Sequence, residues 1–455
     1  CGSTLTLGSS GKTVTLASGA SQSGFGRTGT VDWCTTAKTS PFTAVNGDGF
    51  FVDTTSGAIT VTLPASPSAG DIVAIKDYAG TFDTNNVTLA RNGSKINGEC
   101  ACAFLRTESQ SVTLIYVDAT KGWQDIQDST SSVVGESFVA ATGGTITNSP
   151  CGNFKIHTFT SSGCFQVTNA GNAEGSNKVS YIVVAGGGGG GGENGKTTAS
   201  GGGGAGGFRE GKDSPKDSYT ASPLAAADSG LPVSVQTYPI TVGGGGTGGP
   251  SASPNDGDGG KGSDSVFSTI TSTGGGFGSG KSGTGADRRS GPGGSGGGAT
   301  QCNAGGPTGT GAGAGNDPPV APPQGNPGGA SDAPGPTYMA GGGGGATVAG
   351  GNPSTPGSTT GAGGAGATTS INATPTAYAG GGGAGKSNYP GSVRPAGPGG
   401  TGGGGAGATT PGGTAPAGTA NTGGGGGGGS GTIGTSLSAG GAGGSGVVII
   451  RYKFQ

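Results

Sequence analysis

Charge is scarce in this sequence. Asp, Glu, Lys and Arg make up 10% of 455 residues, and the net charge is −2. That excludes the basic face by which proteins hold nucleic acid. Histidine is scarcer still, since His157 is the only one. A histidine-based triad would rest wholly on it, and no Gly-x-Ser-x-Gly elbow accompanies it. No apolar run approaches the roughly 18 residues of a membrane helix, so membrane insertion is not expected. Methionine occurs once, at Met339, and the chain starts at Cys1. A processed chain or a fragment is therefore expected. Cys1 followed by small residues also fits a lipoprotein start, but ordered repeat follows it where a tether would be.

Cysteines number seven, at 1, 34, 100, 102, 151, 164 and 302. The count is odd, the spacing irregular, and Cys100 and Cys102 are too close for a zinc-type C-x-x-C pair. Free thiols in a chain folded in a reducing cytoplasm are expected. A Cys151–Cys164 disulfide across a hairpin is the alternative. Apolar residues are only 29% of the chain, where ordinary domains approach half. Low hydrophobicity with low charge usually means disorder. An ordered chain of this kind needs something other than a side-chain core.

Glycine is what the sequence has, with 114 residues, most of them after Ala185. There it reaches roughly the one-third level of collagen, yet without the G-X-Y period that collagen's axis needs. Runs recur at 186–192, 201–204, 243–246, 274–276, 341–345, 380–383, 402–405 and 423–429. Glycine helices of three residues per turn point N–H and C=O outward and can bond to each other where no Cβ intervenes. A polyglycine II-type bundle of rods is expected, with alanines at its edges.

The rest reads as strand. Residues 3–11 align with 12–20 as two Thr/aliphatic repeats, which need stacked copies or sister chains to bury their apolar row. Short β-branched runs lie at 50–53, 58–63, 71–75, 86–89 and 111–116, and no segment has helical periodicity. The expected class is all-β, in four parts. They are shaft repeats over 1–30, a small β-sandwich or barrel over 31–130, a linker over 131–150, and a glycine-rich domain over 151–455. The strand at 179–184 and the last strand at 446–452 share one character, and they are expected to meet and close that domain.

Apparent chemical motifs yield to base rates. Residues 190–197 match the P-loop pattern G-x-x-x-x-G-K-[ST], as do 275–282 and 380–387. A P-loop needs a strand before it and a helix after it. TTASGGGGAGG after Lys196 cannot be a helix. Residues 254–260 carry alternate oxygen ligands, but no terminal glutamate for calcium. No cofactor and no metal are expected. Asp53, Asp71, Asp77, Asp83 and Asp118 could hide a glycosidase pair, although turn aspartates are far commoner. No enzyme activity is expected.

Aromatics and cations between the glycine runs suit binding better. The candidates are Phe208, Arg209, Arg288, Arg289, Tyr338, Met339, Tyr378, Tyr389 and Arg394, with Lys386 beside the last two. They are expected at loop tips. The alternative is that they seal bundle ends or contact sister chains.

FTSSGCFQV, then SYIVVAGGGGGGG, then the repeated runs, then GGSGVVIIRY resemble the glycine-rich terminal domain of bacteriophage tail fibres, over about 151–455. The related adhesins of T-even-like phages stack polyglycine rods and bind the bacterial receptor through loops at the tip. Residues 46–123 resemble a β domain of marine phage fibres, which implies a homotrimer. The resemblance implies a receptor-binding virion protein on the phage tail, made in the host cytoplasm. Its partners would be other tail proteins and a bacterial outer-membrane protein or polysaccharide. The insert at 208–240 and the cysteines depart from the pattern. Competing classes are a structural glycine-rich matrix fibre, an ice-binding protein and a sugar depolymerase. Thr pairs at 197–198, 359–360, 368–369 and 409–410 are too irregular for an ice lattice.

Overall fold

The structure is a computed structural model. It describes residues 31–128, 136–193, 199–251, 257–280, 290–300, 311–331, 339–353, 359–389, 392–432 and 436–455. The expected shaft repeats over 1–30 lie outside the described residues. Two compact units result, Cys1–Ser137 and Phe138–Gln455. All regular structure among the described residues is β.

The first unit contains β1 (Asp32–Lys38), β2 (Phe42–Thr43), β3 (Asp48–Val52), β4 (Ile59–Thr62), β5 (Ile72–Asp77), β6 (Val87–Ala90), β7 (Ala103–Leu105), β8 (Ser111–Asp118) and β9 (Gly122–Asp128). Strands alternate between two sheets, β1-β3-β5-β8-β9 and β2-β4-β6-β7. Neither closes into a barrel. β1, β3 and β5 pair in parallel, and so do β2, β4 and β6. The chain therefore winds between the sheets in successive coils before the antiparallel strands finish it. Period-two alternation sends Phe50, Val52, Val61, Ile75, Leu89 and Leu114 into one core with Trp123.

The second unit contains β10 (Val139–Thr142), β11 (Thr145–Asn148), β12 (Phe154–Phe159), β13 (Gly163–Ala170), β14 (Lys178–Val184), β15 (Phe208–Gly211), β16 (Leu231–Pro232), β17 (Thr237–Thr241), β18 (Ser265–Phe267) and β19 (Ile270–Ser272). Small pairs follow within the glycine region: β20 (Ala367–Thr369), β21 (Thr376–Tyr378), β22 (Ser387–Tyr389), β23 (Ser392–Arg394), β24 (Gly431–Thr432) and β25 (Ser436–Leu437). β26 (Val447–Lys453) ends the series. The segment 131–150, expected as a linker, holds β10 and β11. Each is four residues long, and β10 pairs with β13 across the chain.

β14 and β26 pair antiparallel from Val184↔Val447 to Ser180↔Arg451. They are the middle of the sheet β11-β12-β26-β14-β15. β14 is apolar on both faces because both faces are covered. Tyr181 and Val183 face a second sheet, β10-β13-β17-β18-β19, through Phe165, Ile240 and Phe267. Ile182 and Val184 face the other way, onto Ala205, Phe208, Ala346 and Tyr378 from the glycine region.

Beyond β14 the packing changes from side chains to backbone. The N–H groups of Gly186, Gly189 and Gly192 donate to Ser263, Gly260 and Gly257. Those of Gly187 and Gly190 donate to Gly444 and Gly441, and those of Gly188 and Gly191 to Gly204 and Gly201. These bonds span 2.6–3.0 Å. Partners repeat every third residue, and each partner segment runs antiparallel. Carbonyls serve three other segments, all parallel. Gly186 and Gly189 accept from Gly275 and Gly278, Gly187 and Gly190 from Gly246 and Gly249, and Gly188 and Gly191 from Gly426 and Gly429. One run thus sits among six neighbours with its buried polar groups paired. No side chain fits there: a Cβ on Gly187 would lie 2.1 Å from the Gly424 oxygen.

Alanines mark where a methyl does fit. Ala199, Ala340 and Ala384 form a buried cluster of their own. They are interior, where edge positions were expected, because three adjoining segments place their small side chains together.

Candidate functional site

The runs alternate in direction, so their connections fall at two ends. Ala185 N bonds Gly207 O beside the sheets, whereas Gly191 N bonds Gly201 O a run's length away. The far end is tied into one layer. Glu193 N bonds Ser438 O, Ser200 N bonds Gly429 O, Gly385 N bonds Ser200 O, and Lys386 N bonds Ala408 O. The Thr300 and Thr360 hydroxyls donate to the Ala199 and Ala384 carbonyls.

A four-stranded sheet, β23-β22-β24-β25, covers part of that layer. It joins two hairpins through the parallel Ser387↔Gly431 pairing. Asn388 Nδ2 donates to Ser430 Oγ at 2.9 Å, and Ser430 Oγ donates to Lys386 O at 2.9 Å. Beside β23 is a groove of about 460 Å³ lined by Lys386, Val393, Pro395, Ala396 and Thr409. Val393 is 56% exposed. This far-end surface is the candidate site.

Two expected anchors, Tyr389 and Arg394, belong to it. Tyr389 pairs with Ser392 and Arg394 with Ser387 in the β22–β23 hairpin. Arg288, Arg289 and Tyr338 lie outside the described residues. The other expected loop-tip residues are corrected by the structure. Phe208 is 1% exposed and packs on Ile182, Val184 and Ile449. Tyr378 is 5% exposed in the same cluster, and burial raises its phenol pKa. Met339 is fully buried at the start of its run. Arg209 is half-buried, opposite Val183 in β15. Phe208, Arg209 and Tyr378 sit at the sheet end, where apolar area is needed to join side-chain packing to backbone packing. Val393, Pro395 and Thr409 carried no sequence signal beyond flanking a glycine run.

The insert at 208–240 builds a buried polar knot at the sheet end. Arg451 Nε donates to both Asp217 carboxylate oxygens, at 3.0 and 3.1 Å, with both side chains almost wholly buried. Ser180 Oγ donates to Asp217 Oδ2 at 2.8 Å. The Arg451 guanidinium lies over the rings of Phe154 and Tyr219. Glu210 accepts from Thr369 Oγ1 and from Ser222 N. Burial, then the Glu210 charge, pushes the Tyr219 phenol up.

The remaining motif residues are tied locally. Gly190, Gly191 and Gly192 of the P-loop pattern lie in the packed run, and 194–197 fall outside the described residues. Asp258 accepts from Ser279 Oγ and Gly280 N, while 254–256 are not described. Asp77 takes N–H bonds from Gly80, Thr81, Phe82 and Ser109. Asp53, Asp71 and Asp118 cap turns, and Asp83 accepts from the neighbouring Thr84 hydroxyl. His157 is buried, with Nδ1 2.7 Å from Gly143 O and Nε2 3.1 Å from the Tyr452 hydroxyl. Burial lowers its pKa. Cys151 and Cys164 are free thiols, as are Cys34, Cys100 and Cys102. Among the described residues no cluster of His, Cys, Asp and Glu could hold a metal, and no helix is long and apolar enough to cross a membrane.

No curated protein matches the chain. A family described as a glycine-rich domain matches residues 160–453, which take in the strands from β13 to β26 and the glycine runs between them. By that match over well more than half its length, the chain belongs to the glycine-rich domain family.

Proposed function

We propose that the protein is a bacteriophage tail-fibre adhesin that attaches the virion to its bacterial host through the far end of a bundle of polyglycine II-type rods. The observation that carries this reading is the three-residue repeat of hydrogen-bond partners around residues 186–192. A three-residue turn with outward-facing backbone groups is the geometry of polyglycine II. The glycines of that run keep φ outside the left-handed region, which suits an extended rod.

A function follows from the stiffness. The described far-end layer is held by backbone bonds between several segments, so little of it needs ordering on contact. A homotrimer carrying several tips per virion would add avidity. The apolar cluster and the buried polar knot at the sheet end anchor the bundle, and the far end is left for recognition. Recognition needs no chemistry, cofactor or metal. The receptor would be an outer-membrane protein or a polysaccharide, and the other partners would be tail proteins.

The test is attachment of the labelled whole chain to a panel of bacteria from its source. Saturable attachment to at least one strain, reduced by Val393→Asp without loss of thermal stability, is expected. Attachment to none of them would overturn the adhesin reading.

A further inference from the structure

We infer that the groove beside β23 binds an acidic saccharide, with the Lys386 ammonium paired to a sugar carboxylate or phosphate. This rests on the receptor-binding reading and names its ligand class. Size comes first. A groove of about 460 Å³ lies in the range of small-ligand sites, roughly 300–1,000 Å³. A protein partner would need about 800 Å² from each side.

Charge comes second. Lys386 is half-buried, and among the described residues its ammonium has no hydrogen-bond or ion partner. Most other cations of this unit are engaged. Lys178 pairs with Asp228, Arg451 with Asp217, Lys212 with the Tyr219 carbonyl, and Lys155 and Lys453 lie over Phe454 and Phe138. Among the described residues, none that lines the groove is acidic. An ammonium at the groove without a partner favours an anion, and the charged hydrogen bond is the strong kind.

The walls come third. Val393 and Pro395 offer exposed apolar faces for the C–H side of a sugar ring, and Thr409 offers a hydroxyl. The Lys386 backbone is fixed on both sides, its N–H to Ala408 O and its carbonyl by Ser430 Oγ. Its stem therefore starts from a rigid base, and binding orders only the side chain.

Calorimetric titration of the whole chain with three probes tests this: trigalacturonic acid for carboxylate, glucosamine 6-phosphate for phosphate, and maltotriose as the neutral control. At least one acidic probe should bind saturably and more weakly as salt rises, with maltotriose at least about tenfold weaker. Lys386→Gln should lose about tenfold, Lys386→Arg should retain most affinity, and Val393→Asp should abolish binding. Thermal melts of each variant should match the parent. Equal binding of maltotriose, indifference to Lys386→Gln, or no binding of either acidic probe would overturn the saccharide site. If those failures accompany intact cell attachment, the adhesin reading stands and its receptor is not an acidic saccharide held by Lys386. Saccharide binding without attachment to any cell would keep the site and sink the adhesin reading.

Discussion

Replacing Gly190 with alanine places a methyl carbon 2.1 Å from the carbonyl oxygen of Gly427, far inside the 3.0 Å that real Cβ contacts respect. The obstacle is backbone, so no rotamer change relieves it. Overpacking of this kind costs about 1–3 kcal/mol. Relief by separating the two segments would stretch Gly426 N to Gly188 O and Gly429 N to Gly191 O, at 2.9 and 2.8 Å. Each buried group left unpaired costs about 1–3 kcal/mol more. A total loss of about 3 kcal/mol or greater is expected. Gly244 is the internal comparison, because a Cβ there meets nothing within 4 Å and its φ is not left-handed. Gly244→Ala should be neutral or stabilise by about 0.4–1 kcal/mol through the unfolded chain. Denaturant midpoints followed by far-UV circular dichroism and by protease resistance report the difference. Both tryptophans, Trp33 and Trp123, lie in the first unit, so their fluorescence should show the same transition in all three proteins. Equal midpoints for Gly190→Ala and Gly244→Ala would refute the reasoning, since flexible glycine linkers tolerate both alike.

Other outcomes follow from the sheet end. Arg451→Met leaves the buried Asp217 carboxyl without its ion-pair partner and should cost about 3–5 kcal/mol in the melting of the second unit. Phe208→Ala should cost about 3–5 kcal/mol and weaken cell attachment only in step with unfolding, whereas a far-end change should weaken attachment without altering the melt. His157 has its pKa lowered by burial, so the unfolded chain takes its proton first. Stability should therefore hold above the unfolded value near 6.5 and fall as pH drops through and below it. His157→Gln should flatten that slope in urea titrations run across pH 5–8.

Much of the architecture could be read before any coordinates. The match between 179–184 and 446–452 was legible because a strand covered on both faces must be apolar throughout, and two such strands need each other. The strands at 50–53, 58–63 and 71–75 were legible from their period of two, but their parallel pairing was not. Pairing direction depends on partners a coil away in sequence. β10 and β11 were hidden because four residues of Val, Ala and Thr carry little pattern without β13 and β12 beside them. Phe208 and Tyr378 were misplaced for a different reason. An aromatic next to a glycine run lies at one end of the bundle or the other according to the direction of that run. Direction alternates with every connection, and no local residue announces it. Lys386 and Arg394 fell on the far end by the same parity, and the groove that Lys386 lines has no signature of its own.

Amide hydrogen exchange across residues 185–193 tests the central claim most directly. If these glycines are rods bonded to six neighbours, their amides should exchange as slowly as those of β14 and β26, because all belong to one cooperative unit. Exchange at the rate of an unstructured glycine chain, while β14 and β26 stay protected, would contradict it.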